Sequence, residues 1–242
     1  MAEKVQVGAP IPLTLKAVRK EAHGTYSYIF PIPDQFTWDE GCFVHLGNSQ
    51  FDPAKGRENR EFVRHLSIAS LSDEGELRFT TRIPENRSAY KAALAAANPG
   101  DTFMLFKPAN RMELRREGRP VVLISAGVAM ATTRPMMRAF ALDSSGIPSL
   151  IHLNIDSSAD FLYRREVEQW VEDTPGLANH YADSRVYLYA KLEETFLPDA
   201  IYYVVGSDGF LVSVGTWLVE RGIDKSAIML DKNQPFYDRI SE

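Results

Sequence analysis

The sequence predicts two domains, an N-terminal antiparallel β-barrel and a C-terminal α/β domain with a doubly wound parallel sheet. In the first half, short segments rich in Val, Ile, Phe, Tyr and Thr are separated by Gly, Pro, Asp and Asn, a pattern typical of a barrel or sandwich. In the second half, strand-like and helix-like segments alternate, which implies right-handed βαβ units. A chain of 242 residues readily accommodates two such domains. We place the first at residues 1–117 and the second at 118–242.

The predicted barrel strands are short and end at turn-forming residues. One helix from Ser88 to Ala97 interrupts them, because its sequence consists largely of strong helix formers and is stopped by Pro99 and Gly100. The predicted strands are Ile11 to Val18, Tyr26 to Phe30, Cys42 to Leu46, Val63 to Ser67, Leu77 to Thr81 and Thr102 to Phe106.

The second half begins with an apolar run, Val121 to Ser125, that suits a buried parallel strand. Helices are predicted over Arg134 to Leu142, Phe161 to Glu172 and Phe210 to Arg221. Further strands are predicted over Leu150 to Ile155, Val186 to Ala190, Ala200 to Gly206 and Ala227 to Leu230.

Composition excludes several classes of function. The net charge of -5 gives no general attraction to nucleic acid or anionic membrane. The single cysteine, Cys42, excludes an intrachain disulfide and a four-thiolate iron–sulfur cluster, and the scattered histidines predict no metal site. We see no signal peptide and no apolar stretch near the roughly 20 residues that span a bilayer. The expectation is a cytoplasmic protein with no nucleic-acid partner and no membrane insertion.

The segment from Arg64 to Ser70, RHLSIAS, carries the sharpest signal. An arginine at a strand end can bind a phosphate through two N–H groups, and Ser67 three residues later can lie beside the reactive part of the same ligand. The segment resembles the R-x-Y-S-x-x-S flavin motif of the ferredoxin–NADP reductase superfamily, with Leu66 in place of the usual Tyr. The alternative is an ordinary strand with an exposed arginine and a turn serine.

Two flanking segments extend this resemblance. Gly41 to Leu46 is similar to the strand that precedes the flavin motif in the superfamily. The run from Thr80 through Arg82 to Ser88, followed by Pro99-Gly100-Asp101, is similar to the stretch whose helix faces the flavin phosphate. A helix N-terminus is a sound anion site, and Ser88 also suits an N-cap whatever lies beside it. The alternative is that Ser88 only caps the helix and binds no phosphate.

In the second domain, two segments resemble the nicotinamide side of the superfamily. The run from Pro120 to Ala129 is similar to its glycine-rich loop and keeps Gly127, but has Ala126, Ala129, Ala131 and Thr132 where Gly, Gly, Thr and Pro are usual. The run from Tyr202 to Phe210 is similar to its strand beside the nicotinamide, with Val-Gly-Ser in place of Cys-Gly-Pro. Gly206, Ser207 and Phe210 are assigned there, and a plain strand–turn–helix is the alternative.

Asp156 ends the second predicted strand of this domain. In the superfamily that region meets the adenosine ribose, where an Asp accepts hydrogen bonds from a ribose diol and repels a 2′-phosphate. Asp156 therefore favours NADH, whereas Arg164 and Arg165 would favour NADPH. A helix cap or loop aspartate is the alternative.

The resemblance implies an NAD(P)H-dependent flavoprotein reductase that holds FAD in preference to FMN. It assigns Arg64 to the flavin phosphate together with Arg82 and Ser88, places Ser67 at flavin N5 as the catalytic residue, and lets His65, Leu66 and Ser70 shape the pocket. Electrons would pass to a separate acceptor: a ferredoxin- or flavodoxin-like protein, free flavin or a small molecule. The alternative is a diverged flavin-binding or flavin-free subunit of the same fold that no longer oxidises NAD(P)H.

Overall fold

The computed structural model describes residues 10–240, apart from the side chains of residues 53 and 56–58. The chain forms two compact units that divide between Asn110 and Arg111. The division lies earlier than the boundary after Glu117 that we predicted from the sequence.

The segment after Asn110 belongs to the second unit because its side chains and backbone bind there. Leu114 is buried. The Tyr203 hydroxyl donates a hydrogen bond to the Glu113 carbonyl (2.8 Å) and accepts one from the Arg115 amide (2.8 Å). The Arg115 guanidinium donates to the Ser226 carbonyl at 2.7 Å. These contacts attach the segment after Asn110 to the α/β unit.

The N-terminal unit consists of two antiparallel sheets around a shared apolar core, as the sequence predicts. One sheet has the order β1-β7-β4-β5 and the other the order β2-β3-β6, and a single bridge between Ile68 and Phe79 links them. The helix α1 caps the unit. The elements are β1 (Ile11–Thr14), β2 (Ala17–Ala22), β3 (Thr25–Phe30), β4 (Cys42–Gly47), β5 (Val63–Ser67), β6 (Leu77–Arg82), α1 (Ala89–Ala96) and β7 (Thr102–Asn110).

The first predicted strand, Ile11 to Val18, is two strands in the structure. The chain leaves one sheet and enters the other at Leu15 and Lys16, whose amides donate to the carbonyls of Asp101 and Ile29, each at 2.8 Å. β1 then pairs with β7, and β2 pairs with β3. A continuous β-rich sequence does not reveal a change of sheet partner.

The C-terminal unit is a five-stranded, wholly parallel sheet of order β10-β9-β8-β11-β12. This is the predicted α/β architecture. No helix between residues 10 and 240 is long and apolar enough to cross a membrane. The elements are β8 (Val121–Ala126), α2 (Met130–Leu142), β9 (Leu150–Ile155), α3 (Arg164–Asp173), β10 (Leu177–Ala182), α4 (Arg185–Glu194), β11 (Ile201–Val205), α5 (Asp208–Val219), β12 (Ile228–Leu230) and α6 (Gln234–Tyr237).

The strand predicted over Val186 to Ala190 is wrong, because this segment is helix α4. The β-branched and aromatic residues favour a strand locally, but Ser184 caps a helix by accepting a hydrogen bond from the Tyr187 amide. Leu188 and Leu192, four residues apart, then reach the core from one helix face. The strand at this place in the sheet is β10, Leu177–Ala182.

Candidate functional site

The strand β5 presents its residues alternately to two faces. In its antiparallel pairing with β4, Arg64 lies opposite Leu46 and Leu66 lies opposite Val44. Leu46 and Val44 are buried in the core of the unit, so Arg64 and Leu66 share the core-facing side. His65 lies on the other side.

The Arg64 side chain lies against helix α1. Its Nη1 atom donates to the Val63 carbonyl at 2.7 Å, and its guanidinium lies 5.4 Å from the centre of the Tyr90 ring. Tyr90 is fully buried, and within residues 10–240 its hydroxyl has no hydrogen-bond partner. Burial raises the pKa of that hydroxyl, so it is present as the neutral phenol.

Lys91 is the next residue on α1, and its ammonium donates a hydrogen bond to the Thr81 hydroxyl. Burial of the ammonium, together with repulsion from Arg64, lowers the pKa of Lys91 to about 8. Ser88 caps α1, and its hydroxyl accepts from the Lys91 amide at 3.4 Å.

These residues fit a phosphate group. In the described part of the chain, no carboxylate forms an ion pair with Arg64 or Lys91. Two cations without a counter-ion, beside the start of a helix whose dipole is positive there, favour an anion. The buried Tyr90 hydroxyl adds a donor without a partner. The predicted flavin phosphate has suitable ligands at this end of β5.

The other face of β5 carries stacked rings beside a cavity of about 950 Å³. The imidazoles of His65 and His45 lie with ring centres 3.9 Å apart, and Phe106 packs on His45 at 5.4 Å. Burial, with His65 and Lys107 nearby, lowers the pKa of His45 to about 4, so this ring is neutral at pH 7. The residues that line the cavity are His45, Phe51, Asn59, Arg60, Val63, Arg64, His65, Phe106 and Lys107.

The other predicted flavin residues differ in their surroundings. Leu66 packs partly buried against the core, and Ser67 is half-buried. Arg82 is exposed, with its Nε atom 3.5 Å from the Thr25 hydroxyl. Ser70 is fully buried, and its hydroxyl donates to the Glu76 carbonyl (2.8 Å) and accepts from the Arg78 amide (3.0 Å). The Ser70 hydroxyl thus stabilises the turn that follows β5.

In the second unit, the predicted residues gather at the carboxyl ends of neighbouring strands. Gly127 follows β8, Gly206 and Ser207 follow β11, and Asp156 follows β9. β8 lies between β9 and β11. From β8 the sheet is built outward through β9 and β10 on one side, and the chain then crosses to add β11 and β12 on the other side. In open parallel sheets, ligands bind at such a switch point. Gly127 has a φ of +57°, which favours glycine there.

Gly206 is required by close packing. A Cβ atom at this position would lie 2.6 Å from Cδ1 of Phe210 and 3.3 Å from Cβ of Ala126. The Phe210 side chain is 5% exposed and packs in the apolar core beside Gly206. Its place beside the nicotinamide stays a prediction. Ser207 is exposed and caps α5 by accepting a hydrogen bond from the Phe210 amide at 3.4 Å.

Asp156 is buried at the end of β9, with 6% exposure. Its Oδ1 atom accepts hydrogen bonds from the amide (3.0 Å) and hydroxyl (2.6 Å) of Ser158, which orders the following turn. Nearby, Arg164 forms an ion pair with Glu168 at 2.7 Å. Of the two arginines predicted to favour a 2′-phosphate, Arg164 is therefore paired within its own helix and Arg165 is exposed.

Sequence reasoning missed a buried polar network in the second unit. The Nε2 atom of His152 lies 2.9 Å from the Ser125 hydroxyl, and its Nδ1 atom lies 2.6 Å from Oδ1 of Asn179. Since Oδ1 only accepts, Nδ1 carries the proton and Nε2 accepts from Ser125. Asn154 donates to the same Ser125 hydroxyl at 2.8 Å. The polar residues that alternate with apolar ones in β9, LIHLNI, were the available signal.

Burial lowers the pKa of His152 to about 4, so the ring is neutral at pH 7. His152 and Ser125 are both inaccessible to solvent. The network therefore satisfies polar groups inside the unit and does not open onto a substrate.

Comparison with curated proteins finds partial relatives. The chain is 26% identical over 196 residues to a flavohemoprotein of Vibrio cholerae, which covers 72% of this chain and 47% of the relative. It is 29% identical over 188 residues to a flavohemoprotein of Pseudomonas putida, which covers 69% of this chain and 45% of the relative. The chain spans about half the length of the curated relatives it matches. No protein-family profile matches it.

Comparison with solved structures extends over both units. The FAD/NAD-binding domain of a nitric oxide dioxygenase from Vibrio cholerae has a TM-score of 0.72 at 20% identity, covering 91% of this chain and 97% of that one. A cytochrome P450 reductase from Amycolatopsis has a TM-score of 0.75 at 18% identity, covering 92% and 70%. A ferredoxin–NADP⁺ reductase from Plasmodium falciparum has a TM-score of 0.76 at 13% identity, covering 92% and 96%. The chain therefore has the two-domain fold that these FAD/NAD-binding and reductase structures share, as its sequence predicts.

Proposed function

We propose that this protein is an NAD(P)H-dependent flavoprotein reductase that holds FAD. The observation that carries the proposal is the position of Arg64, whose guanidinium lies over Tyr90 beside the start of α1, with no carboxylate paired to it among the side chains that the structure describes. The superfamily fold and the flavohemoprotein relatives support the same assignment.

In this proposal each residue of the first unit has a defined task. Arg64 and the N-terminus of α1, capped by Ser88, hold the phosphate of the flavin. Leu66 supplies apolar contact to the ring system where the superfamily has an aromatic residue, and Ser67 offers its hydroxyl to N5. The bound flavin supplies the hydride-accepting chemistry and releases electrons singly or in pairs.

The second unit binds the nicotinamide nucleotide at its switch point. Gly127 and Gly206 let the ligand approach the backbone closely, and the exposed Ser207 lies at the start of α5, where backbone N–H groups face outward. Asp156 favours a ribose diol over a 2′-phosphate, so NADH is the expected donor. The engagement of Arg164 by Glu168 supports this preference.

The electrons are expected to leave for a separate acceptor. The solved structures of this fold include reductases named for a cytochrome P450 and for a dioxygenase, so the fold serves several acceptors. We assign the acceptor of this chain only by class: a small redox protein, free flavin or a small molecule.

A second candidate is a flavin-binding subunit of this fold that does not oxidise NAD(P)H. Two observations favour it. Leu66 cannot hydrogen-bond as the usual Tyr does. The end of β8 reads Ala126-Gly127 where paired glycines are usual.

A flavin-dependence assay separates the two candidates. Purified protein is loaded with FAD, and NADH oxidation is followed with ferricyanide as the electron acceptor. A reductase oxidises NADH at a rate that saturates with bound FAD and falls in the Arg64→Ala variant. A flavin-binding subunit retains FAD after gel filtration and oxidises no NADH above the rate of free FAD.

A further inference from the structure

Helix α1 brings a second cation to the predicted flavin phosphate. Tyr90 and Lys91 are adjacent on the helix, and the guanidinium of Arg64 lies 5.4 Å from the Tyr90 ring centre. The half-buried Lys91 ammonium lies near enough to Arg64 for repulsion between the two charges to lower the pKa of the lysine. Positive side chains from β5 and α1 therefore lie close enough for their charges to interact.

Nothing described around this cation pair neutralises it. β6 supplies the neutral Thr81 hydroxyl to Lys91, and α1 supplies Ser88 and the neutral Tyr90 phenol. From the 3-10 helical segment before β5, the carbonyl oxygens of residues 60 and 61 accept hydrogen bonds from Arg64. From β3, the Tyr28 hydroxyl donates to a backbone carbonyl of α1, that of residue 94.

A half-buried ammonium beside a guanidinium is unfavourable unless an anion accompanies it. A lysine on a helix ordinarily extends to solvent, where its charge costs little. Here the ammonium is held by Thr81 on the barrel side of α1. The arrangement suits a ligand that carries negative charge and several acceptor oxygens, and a phosphate ester meets both conditions.

We propose that Lys91 is a second cationic ligand for the phosphates of the bound flavin nucleotide, acting beside Arg64. The inference rests on the proposed function and adds to it a residue, a ligand group and a pH dependence. It requires phosphate on the ligand, so replacing Lys91 should not change the affinity for riboflavin, which has none.

The expected pH dependence follows from linkage. Without ligand, the pKa of Lys91 is about 8, and a bound phosphate raises it. The ammonium form that binds phosphate is therefore mostly present at pH 7 and mostly lost at pH 9. FAD affinity should fall about 10-fold between these two pH values. FAD is the appropriate probe because its diphosphate keeps a constant charge over this range.

The test compares Lys91→Met, Lys91→Arg and the wild-type protein by fluorescence titration with FAD and with riboflavin. Lys91→Met should weaken FAD binding at pH 7 about 10- to 100-fold, the effect of losing a charge-assisted hydrogen bond, and leave riboflavin binding unchanged. Lys91→Arg should bind FAD with no change in affinity between pH 7 and 9, because a guanidinium keeps its proton. Lys20→Met, an exposed lysine on β2, is the matched control and should behave as wild type.

Equal FAD affinities for Lys91→Met and the wild type would overturn the inference, as would a pH dependence that persists in Lys91→Arg. Thermal melts establish that each variant is folded. Should the wild type bind neither FAD nor riboflavin, the proposed function fails, and inorganic pyrophosphate decides the inference separately. Pyrophosphate that raises the melting temperature of the wild type but not of Lys91→Met supports the cation site, and no effect on the wild type overturns it.

Discussion

The guanidinium of Arg64 lies 5.4 Å from the centre of the buried Tyr90 ring, so the end of β5 and the start of α1 meet in a cation–π contact. The contact fixes the arginine at one end of the strand, while its Nη1 atom is held by the Val63 carbonyl at 2.7 Å. Under the proposed function, an arginine held in this way would receive a phosphate with less reorganisation than a freely moving one.

Replacing Arg64 with Ala should weaken FAD binding by about 1.5–3 kcal/mol, because a charge-assisted contact with phosphate is lost. Riboflavin affinity should change little. The comparison with Arg19→Ala, an exposed arginine on β2, removes the effect of net charge. Fluorescence titration measures both, and equal loss for FAD and riboflavin would mean that Arg64 acts through the fold instead of through phosphate.

Ser88 can be tested as a helix cap and as a neighbour of the phosphate at once. Ser88→Asp keeps a side-chain acceptor for the amides of α1, so the free energy of unfolding should stay within about 0.5 kcal/mol of wild type. Its added negative charge should weaken FAD binding and leave riboflavin binding unchanged. Urea unfolding and fluorescence titration give the two values, and unchanged FAD affinity would leave Ser88 only the role of a cap.

Gly206→Ala should destabilise the second unit by about 1–3 kcal/mol, because the new methyl group meets the Phe210 ring and Ala126. Gly209→Ala is the matched control three residues later: no atom lies within 4 Å of its would-be Cβ. As an exposed helix position, it should gain about 0.5 kcal/mol. Chemical denaturation distinguishes the two, and equal effects would contradict the packing described at the end of β11.

The buried His152 predicts a defined pH dependence of stability. Its pKa in the folded protein, about 4, lies below the ordinary value of 6.5, so the unfolded state binds the proton more tightly. Stability is therefore full above pH 6.5 and falls as pH decreases from 6.5 to 4, by about 3 kcal/mol for this residue.

The measurement for His152 is the free energy of unfolding of the wild type and of His152→Gln between pH 7 and pH 4. The variant lacks the titrating ring, so its stability should decline less over this interval. Parallel curves for the two proteins would mean that the pKa of His152 is the same in the folded and unfolded states, and would contradict the lowered pKa.

The sequence specified the architecture well where the signal was local. The segment from Val63 to Ser67 formed the expected strand, and Ser88 capped the expected helix. Helix α4 was misassigned because Val186, Tyr187 and Tyr189 favour strands locally, whereas the burial of Leu188 and Leu192 decides the outcome. Such tertiary packing overrides propensity.

The sequence indicated which residues belong to the candidate site, but not what surrounds their side chains. Lys91 reads as an ordinary helix surface residue, and only the structure shows its ammonium held by Thr81 near Arg64. Phe210 matched a motif position, yet its ring fills the space beneath Gly206. The side of a strand or helix that faces a ligand depends on contacts with residues distant in sequence, such as the pairing of Arg64 with Leu46. A single sequence does not reveal such contacts.

The most direct test of the central claim is an anaerobic titration of the FAD-loaded protein with NADH, followed by NADPH, while the absorbance of oxidised flavin is recorded. The account predicts that NADH bleaches the flavin stoichiometrically and faster than NADPH, because Asp156 ends β9 and Arg164 is paired with Glu168. Flavin that binds but stays oxidised with both nucleotides would contradict the reductase assignment and favour a flavin-binding subunit of the same fold.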